Sequence, residues 1–479
     1  MESNIVKEFI DKINSSNIKY CHFKSNSSLS LSMKGDTDLD LLFESGSETA
    51  VASIMKSIEC ILFDSPPDRS YDDVYDYIAY DGDIRKPIHF HCHFRLDIGE
   101  KWVKSYRLPW QDLILDGRQT DPITKIATSS PEWELILLIL RQTTRIYSTD
   151  IFSSKLPSIS AKAKSEFVWL TQKIDSLTLE QIMNNYLSQG LRSSIIEIIE
   201  GGYSSESFHS IRRQVLSDLS KYRKYTHLVA IRKFYIRKAS HYLKRFYIIE
   251  KYFLGKRTLI GDGFTVAIVG TDGSGKTTIC KKLVASLLQK VSIKYVYLGH
   301  GKSGAGPIFL FALKSLSYLN RRVSSRLKLF GHLANLLILY RRWYILNLVK
   351  HYISQGRIVC MDRFPQFNKP GVSDGSFFSD HRRLWWSIPY TLEIKVKQFA
   401  EQVNLDYVVH LHADTKVLKS RLLNEYNANI LDQKDEAIND FMQHLTSPNV
   451  KLDTGELDPN NLIGIITPKF FKLVGKRDN

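Results

Sequence analysis

The stretch that decides the fold of the second half of the chain reads Val266-Ala267-Ile268-Val269-Gly270-Thr271-Asp272-Gly273-Ser274-Gly275-Lys276-Thr277-Thr278. An apolar, β-branched run leads into a G-x-x-x-x-G-K-T loop, and apolar residues at helical spacing follow it. A strand, a glycine-rich loop and a helix in this order form the context that a phosphate-binding loop needs. The sequence therefore predicts a site for a nucleoside triphosphate; the alternative is a chance match in a glycine-rich turn.

The parts of this loop have different roles in binding a phosphate. The glycines let backbone N–H groups approach an anion, Lys276 can reach the terminal phosphates, and the hydroxyl of Thr277 can bind Mg²⁺. The predicted nucleotide-binding residues are Gly270, Asp272, Gly273, Ser274, Gly275, Lys276, Thr277 and Thr278.

A second buried strand is predicted within residues 355–365, and it ends in Asp362 and Arg363. In an α/β sheet, a carboxylate at the carboxyl end of a strand lies near the phosphate loop. We therefore expect Asp362 to hold Mg²⁺ or its bound water, and Arg363 to bind a pair of phosphoryl oxygens.

Two further strands are predicted at Tyr407–His412 and at residues 451–454, with a helix between them at 415–423. Asp414 is well placed to be the N-cap of that helix. Strands that alternate with helices indicate an α/β fold with a parallel, doubly wound sheet and helices on both faces.

At these motifs the chain resembles a known family. Residues 270–278 are similar to the phosphate loop of thymidylate kinases, and Asp362-Arg363-Phe364 resembles their Asp-Arg-aromatic motif. The resemblance covers roughly residues 263–475. It implies a nucleoside monophosphate kinase-like P-loop fold that uses ATP and Mg²⁺. By position, it also implies that Asp272 contacts the acceptor sugar and Arg363 the acceptor phosphate.

The chain departs from that family in two regions. Residues 422–441, where the family's lid offers arginines, contain no arginine, and only Lys434 could take their place. Residues 298–355 form a long, basic and aromatic-rich insertion where a nucleotide kinase would build its acceptor pocket. The run from Asp362 to Gln366, with Asp374-Gly375 after it, looks more like the thymidylate-kinase-like proteins of bacterial surface-polysaccharide gene clusters.

The expected activity is phosphoryl transfer from ATP to an anionic or glycan acceptor, such as a surface-polysaccharide precursor. Arg421 is a further candidate for binding phosphoryl oxygens, and Asp374 is either a base or an exposed loop acid. One alternative is a thymidylate or other nucleoside monophosphate kinase, and another is a nucleotide-gated binding module without turnover. The catalytic candidates are Lys276, Asp362, Arg363 and Lys434, and the candidate Mg²⁺ ligands here are Thr277 and Asp362.

Positive charge is concentrated in two segments of a chain whose formal net charge is +16. Residues 273–361 hold 15 Lys/Arg and no acid, and residues 211–257 hold 14 Lys/Arg against two acids. Such fields attract polyanions, among them nucleotides, phosphorylated sugars, nucleic acid and anionic lipid. Of these partners, nucleic acid is the one we expect least.

The first 125 residues hold a weaker motif, Gly35-Asp36-Thr37-Asp38-Leu39-Asp40. On a strand Asp38 and Asp40 share a face, where two carboxylates can bridge the Mg²⁺ ions of nucleotidyl transfer. With Phe23-Lys24-Ser25-Asn26 upstream, the segment resembles the metal-binding strand of the nucleotidyltransferase fold, although that family has Gly-Ser where this chain has Lys24-Ser25. We expect an α+β, nucleotidyltransferase-like domain that binds a nucleotide or sugar phosphate without transfer.

The third carboxylate of such a site is missing from the strand predicted at residues 88–96. That strand offers His89, His91 and His93 on one face, which either suits a transition metal or forms a metal-free cleft. Asp76, on a strand predicted at 74–80, is the candidate for the missing acid.

Three segments are therefore predicted: a nucleotidyltransferase-like domain at 1–125, a helical basic connector at 126–258, and the kinase-like domain at 259–479. Five scattered cysteines without a CxxC motif, and no apolar run of 18 residues, predict a cytoplasmic protein. Residues 211–256 are basic and amphipathic, so they either lie on the inner face of the membrane or pack between the domains. The sequence is compatible with a homodimer.

Overall fold

The computed structural model describes residues 2–145, 159–243, 255–299, 307–322, 329–365, 387–422 and 428–477. The chain divides into two compact units, Met1–Gly255 and Lys256–Asn479. Within the described residues, each helix is too short or too polar to cross a lipid bilayer.

A mixed sheet forms the centre of the first unit, in the order β3-β4-β5-β2-β1-β9-β8. β2 runs parallel to β5, whereas β4 and β5 are antiparallel. The strands predicted at 74–80 and 88–96 are observed as β4 and β5, although β5 begins two residues earlier and ends at His93. The strands of this unit are β1 (Tyr20–His22), β2 (Leu39–Phe43), β3 (Ile61–Asp64), β4 (Val74–Asp81), β5 (Lys86–His93), β6 (Asp97–Ile98), β7 (Tyr106–Arg107), β8 (Gln119–Thr120) and β9 (Ala127–Thr128).

The helices of the first unit pack into the same core as this sheet. Ile195 and Phe208, from the segment predicted as a separate connector, belong to one buried cluster with Leu41 of β2. The helix that begins at Pro131 follows Ser130, whose hydroxyl accepts a hydrogen bond from Trp133 N at 3.4 Å. The helices are α1 (Asn4–Asn14), α2 (Leu29–Met33), α3 (Glu48–Ser57), α4 (Gln111–Asp116), α5 (Pro131–Arg145), α6 (Ala161–Thr171), α7 (Ser176–Tyr186), α8 (Gln189–Gly201), α9 (Ser205–Asp218) and α10 (His227–Leu243).

The second unit is built on a five-stranded, wholly parallel sheet in the order β12-β13-β11-β14-β15. The predicted parallel sheet is therefore observed, and β14 coincides with its predicted bounds. After the short strand β10 (Thr258–Leu259), the strands are β11 (Phe264–Gly270), β12 (Ile293–Tyr297), β13 (Ile358–Asp362), β14 (Tyr407–His412) and β15 (Asn449–Asp453).

Helices cover both faces of this sheet. Ala267 and Val269 of β11 share a buried cluster with Leu346 and Val396, while Phe264, on the opposite face of the strand, contacts Phe470. The predicted cap is confirmed, because Asp414 accepts a hydrogen bond from the backbone of the helix that it precedes. The helices are α11 (Lys276–Leu287), α12 (Pro307–Arg322), α13 (Leu329–Ile353), α14 (Ser387–Glu401), α15 (Thr415–Arg421), α16 (Ala428–Gln443) and α17 (Pro459–Arg477).

Candidate nucleotide-binding site

The loop between β11 and α11 takes a conformation that only glycine adopts readily. Gly270, Gly273 and Gly275 all have positive φ angles, of 154°, 83° and 86°. A Cβ on Gly270 would overlap the carbonyl oxygen of Leu411 on the neighbouring strand. The loop therefore lies close against β14 and leads into the N-terminus of α11, where backbone N–H groups favour an anion.

Lys276 lies at the start of α11 with only 4% of its surface exposed. Its ammonium group donates to the carbonyl oxygen of Thr271, so the side chain folds back along the loop. The hydroxyls of Thr271 and Ser274 are buried and make no hydrogen bond within the described part of the chain. Buried hydroxyls without a partner are unusual, and a ligand in the loop could supply one.

Asp362 is fully buried at the end of β13, opposite Ile268 of β11. The hydroxyl of Thr277 donates to its Oδ2 at 2.6 Å, and the phenol of Tyr295 donates to the same oxygen at 2.7 Å. Its Oδ1 makes no hydrogen bond to any described residue. A free carboxylate oxygen next to a threonine hydroxyl fits Mg²⁺, which prefers oxygen ligands and retains several waters.

Asp272 lies between two cations at the top of the loop. Its Oδ1 accepts from Arg363 at 2.8 Å, and its Oδ2 accepts from Lys434 of α16 at 2.6 Å. Burial alone would raise the pKa of Asp272, but Arg363, Lys434 and Lys276 outweigh it and lower that pKa to about 2. The carboxylate therefore stays ionised and holds both cations beside the loop.

Arg363 has a left-handed backbone conformation, with φ of 74°. This conformation costs a residue with a Cβ roughly 1–2 kcal/mol. Its N–H donates to the carbonyl oxygen of Ile268 at 3.0 Å, which anchors the turn after β13 to β11. The turn directs the guanidinium toward Asp272, while the guanidinium carbon Cζ lies 5.9 Å from the ring centroid of Tyr297.

Two further candidates from the sequence are Arg421, for binding phosphoryl oxygens, and Asp374, as a base. Arg421 donates to the carbonyl oxygens of Thr454, at 2.6 Å, and of Gly273, at 3.3 Å. Arg421 thus links the loop to the residue that follows β15, and it does not pair with Asp272 as Arg363 and Lys434 do. Asp374 lies outside the described residues.

A second arginine lies on the β12 side of the sheet. Arg341 of α13 donates to the carbonyl oxygen of Gly299 at 3.4 Å. Its guanidinium carbon Cζ lies 5.7 Å from the ring centroid of Tyr297 and 5.4 Å from that of Phe309. Burial lowers the pKa of Arg341, but it remains a cation at any physiological pH. Tyr297 therefore has two guanidinium groups near its ring, from Arg341 and Arg363.

In the first unit, the predicted metal-binding acids lie close to the histidines of β5. Asp40 Oδ1 is 2.9 Å from His91 Nδ1 and 2.8 Å from the ammonium group of Lys24. Burial would raise the pKa of Asp40, but Lys24 and His91 hold it well below its usual range. Lys24 thus places a positive charge where the resemblance implies a metal ion.

Asp76 belongs to the same cluster. Its Oδ1 is 2.7 Å from His89 Nε2, and His89 Nδ1 is 3.0 Å from Asp38 Oδ1. His93 Nε2 lies 3.3 Å from His91 Nδ1, and the rings of His89 and His91 stack with centroids 5.7 Å apart, so all three histidines lie on one face as predicted. Asp76, the candidate for the third carboxylate, therefore lies in the same cluster as Asp38 and Asp40, with histidine rings between the carboxylates.

Sequence reasoning missed three side chains near the loop: Tyr295, Tyr297 and Arg341. The two tyrosines lie on β12, which was not predicted, although its alternating β-formers Ile293-Lys294-Tyr295-Val296-Tyr297 are a recognisable strand signal. From the sequence, Arg341 could be recognised only as part of a basic segment. Its proximity to Tyr297 depends on how α13 packs against the sheet.

No known family model matches the sequence, and no curated protein matches it. Among solved structures, the crystal structure of thymidylate kinase from Ehrlichia chaffeensis is similar at 16% sequence identity. The match covers 44% of this chain and 98% of that one, with a TM-score of 0.29. At this TM-score the likeness assigns no activity to the chain.

Proposed function

We propose that the second unit is an ATP-dependent phosphotransferase that acts on an anionic acceptor. The observation that carries this proposal is the hydrogen bond from Thr277 to Asp362, next to a glycine loop that buries Lys276. Together these residues supply the hydroxyl, the carboxylate and the cation that bind Mg²⁺ and the β- and γ-phosphates of a nucleotide.

The chain's own residues have separable roles in the transfer. Lys276 would leave Thr271 and neutralise charge on the β- and γ-phosphates. Thr277 and Asp362 would hold Mg²⁺, which neutralises phosphate charge when it is bound. Arg363 and Lys434, which Asp272 holds beside the loop, would bind the equatorial oxygens of the transferring group.

The reaction needs little covalent participation from the protein. An acceptor oxygen forms a bond to the γ-phosphorus as the bond to the β,γ-bridging oxygen breaks, and ADP leaves. A phosphate acceptor enters without a proton on the attacking oxygen, whereas a hydroxyl acceptor gives its proton to a base. Asp272 is fixed by two cations and has a low pKa, so it is suited to orienting the acceptor rather than to accepting that proton.

The acceptor is proposed to be a phosphorylated glycan or another surface-polysaccharide precursor. Arg341 and Arg363 flank Tyr297, so an anionic group and a flat apolar face could be bound together there. Residues 273–361 contain no acid that would oppose an anionic acceptor. A nucleoside monophosphate would also fit these features, so a nucleotide kinase is the second candidate.

ADP release from Mg-ATP by the full chain tests the proposal, with Lys276→Ala as the blank. We expect stimulation by phosphorylated sugars that exceeds stimulation by dTMP. Stimulation by dTMP alone would establish the nucleotide kinase instead. ATP binding without turnover, across sugar phosphates, nucleoside monophosphates and membrane extracts, would favour a nucleotide-gated binding module.

The acceptor side is tested by Arg341→Ala, with the exposed Lys416→Ala as a matched loss of charge. We expect Arg341→Ala to raise the KM for the acceptor about tenfold or more, which is the effect of losing a charged hydrogen bond, and to leave the KM for ATP unchanged. Equal effects of the two variants would remove Arg341 from the acceptor site.

For the first unit we propose a nucleotidyltransferase-like domain that binds a nucleotide or sugar phosphate without transferring it. The ammonium group of Lys24 already pairs with Asp40, so a metal ion at Asp40 would have to displace that side chain. Incubation of Lys276→Ala with Mg²⁺ and γ-labelled nucleoside triphosphates should release no labelled pyrophosphate. Release that Asp40→Asn abolishes would show an active transferase.

We also propose that the protein is cytoplasmic and that α10 binds an anionic membrane surface. Phe234 packs against Trp102, while Leu228 and Ile236 are 78% and 57% exposed among lysines and arginines. Leu228→Ser/Ile236→Ser should reduce co-sedimentation with vesicles that contain an anionic lipid. Unchanged sedimentation of this variant would favour a helix that only packs on its own unit.

A further inference from the structure

Two histidines and an aspartate meet on the side of β14 that faces α16. His410 and His412 are two residues apart on the strand, so both side chains point to the same face. Asp435 of α16 lies opposite them, with its Oδ1 3.1 Å from His412 Nδ1 and 3.5 Å from His410 Nε2. The three side chains come from two elements that are distant in sequence.

The donor atoms have the separation that a small metal ion requires. One ligand atom from each side chain lies within 4.8 Å of the other two. In a tetrahedral zinc site, with bonds of about 2.1 Å, neighbouring donors are about 3.4 Å apart. The two measured distances to Asp435 Oδ1 lie on either side of that value, so a metal ion could be bound with small movements of the side chains.

The cluster is buried at His410, is held by a hydrogen bond at Asp435, and is accessible to solvent at His412. His410 is buried, with 1% of its surface exposed, and its Nε2 makes no hydrogen bond within the described part of the chain. Asn439, one turn further along α16, donates to the second oxygen of Asp435 at 3.0 Å. The side chain of His412 is 32% exposed, which leaves room for a water molecule as a fourth ligand.

We propose that His410, His412 and Asp435 bind a divalent transition metal ion of the zinc class. The site is separate from the oxygen ligands Thr277 and Asp362, because imidazole nitrogen favours zinc, cobalt or nickel over Mg²⁺. Bound metal would fix α16 to β14 one residue from Lys434, which contacts the glycine loop through Asp272. Metal binding would therefore hold that lysine in position.

Cobalt titration of the full chain tests this site, because Co²⁺ in a tetrahedral nitrogen and oxygen site absorbs visible light. We expect a visible band in the wild-type protein that Zn²⁺ displaces and that His412→Gln and Asp435→Asn each abolish. His91→Gln is the matched control, since His91 belongs to the other histidine and aspartate cluster. The control and Lys276→Ala should retain the band.

The outcomes separate this site from the others. Absence of a band in the wild-type protein, or a band that only His91→Gln removes, would overturn the proposal. Tight Mg-ATP binding by His412→Gln would show that loss of the band is local rather than a consequence of unfolding.

A second measurement uses only the wild-type protein. Zn²⁺ should protect His412 from carbethoxylation, as mapped by mass spectrometry. His444, whose side chain is 72% exposed, should stay reactive and serves as the internal control. Equal reactivity of His412 with and without Zn²⁺ would also overturn the proposal.

Discussion

Thr277 and Asp362 are 85 positions apart, yet the threonine hydroxyl donates a 2.6 Å hydrogen bond to the aspartate. The contact joins the first turn of α11 to the end of β13, the neighbour of the strand that leads into the glycine loop. It leaves one carboxylate oxygen of Asp362 without a hydrogen bond among the described residues. The two side chains that we propose as Mg²⁺ ligands are therefore in direct contact with each other.

Replacing Asp362 by asparagine should remove activity and keep the fold. The amide can still accept from Thr277 and Tyr295, but it lacks the negative charge that Mg²⁺ requires. We expect ADP release to fall about a hundredfold or more, as for other losses of transition-state electrostatics. Asp414→Asn, which also removes a carboxylate at the end of a strand but only caps α15, should retain activity. Similar losses in the two variants would contradict a role for Asp362 in binding Mg²⁺.

Asp272 should stabilise the second unit in a way that depends on pH. Its pKa is about 2 in the folded protein and about 3.9 when unfolded, so the ion pairs contribute about 2 kcal/mol at neutral pH. A depressed pKa gives stability that is present above about pH 4 and is lost as the pH falls toward about 2. Denaturant unfolding of wild type and Asp272→Asn, followed through the transition that Mg-ATP shifts, should show the difference in their free energies of unfolding shrinking as the pH falls from 5 to 3, across the upper part of that window. A difference that does not change with pH would mean that Asp272 is not paired in solution.

Replacing only one partner of the Lys24–Asp40 ion pair should lower the free energy of unfolding of the first unit. Lys24→Met leaves a largely buried carboxylate without its cation, and we expect a loss of about 3 kcal/mol. Lys24→Met/Asp40→Asn should recover most of that loss, as measured by thermal unfolding. Lys19→Met, which breaks the exposed Lys19–Asp116 pair, should leave the melting temperature unchanged. No recovery in the double variant would show that the loss comes from packing rather than from charge.

Substitution by alanine should destabilise the second unit to different extents at different glycines of the loop. At Gly275 a Cβ would meet no atom within 4 Å, so alanine adds only the cost of a positive φ, about 1 kcal/mol. At Gly270 a Cβ would overlap the backbone of β14, which cannot move without disturbing the sheet. Gly270→Ala should therefore lower the melting temperature of the second unit much more than Gly275→Ala. Equal shifts would show that the loop can move away from β14.

The sequence was most informative where one local pattern determines both structure and chemistry. The β-branched run and the glycine loop predicted β11, the start of α11 and the position of Lys276 from a stretch of neighbouring residues. Asp362 and Arg363 could be placed beside that loop because the carboxyl ends of parallel strands share one edge of the sheet.

What could not be predicted depends on side chains brought together from distant parts of the chain. The hydrogen bond from Tyr295 to Asp362 and the pairing of Lys434 with Asp272 require the strand order and the position of α16. Asp435 and His412 likewise carry no local signal of their proximity. A single sequence records which side chains are present, but their distances follow from tertiary packing.

The left-handed backbone of Arg363 has a consequence for how the protein balances stability against function. Glycine would adopt φ of 74° without strain, so a side chain at this position is retained against the preference of the backbone. Arg363→Gly and Arg363→Ala both lose the ion pair with Asp272, but only glycine relieves the backbone strain. Arg363→Gly should therefore melt higher than Arg363→Ala, and ADP release should collapse in both variants. The strain at Arg363 is thus a cost in folding stability that accompanies the position of its guanidinium beside Asp272.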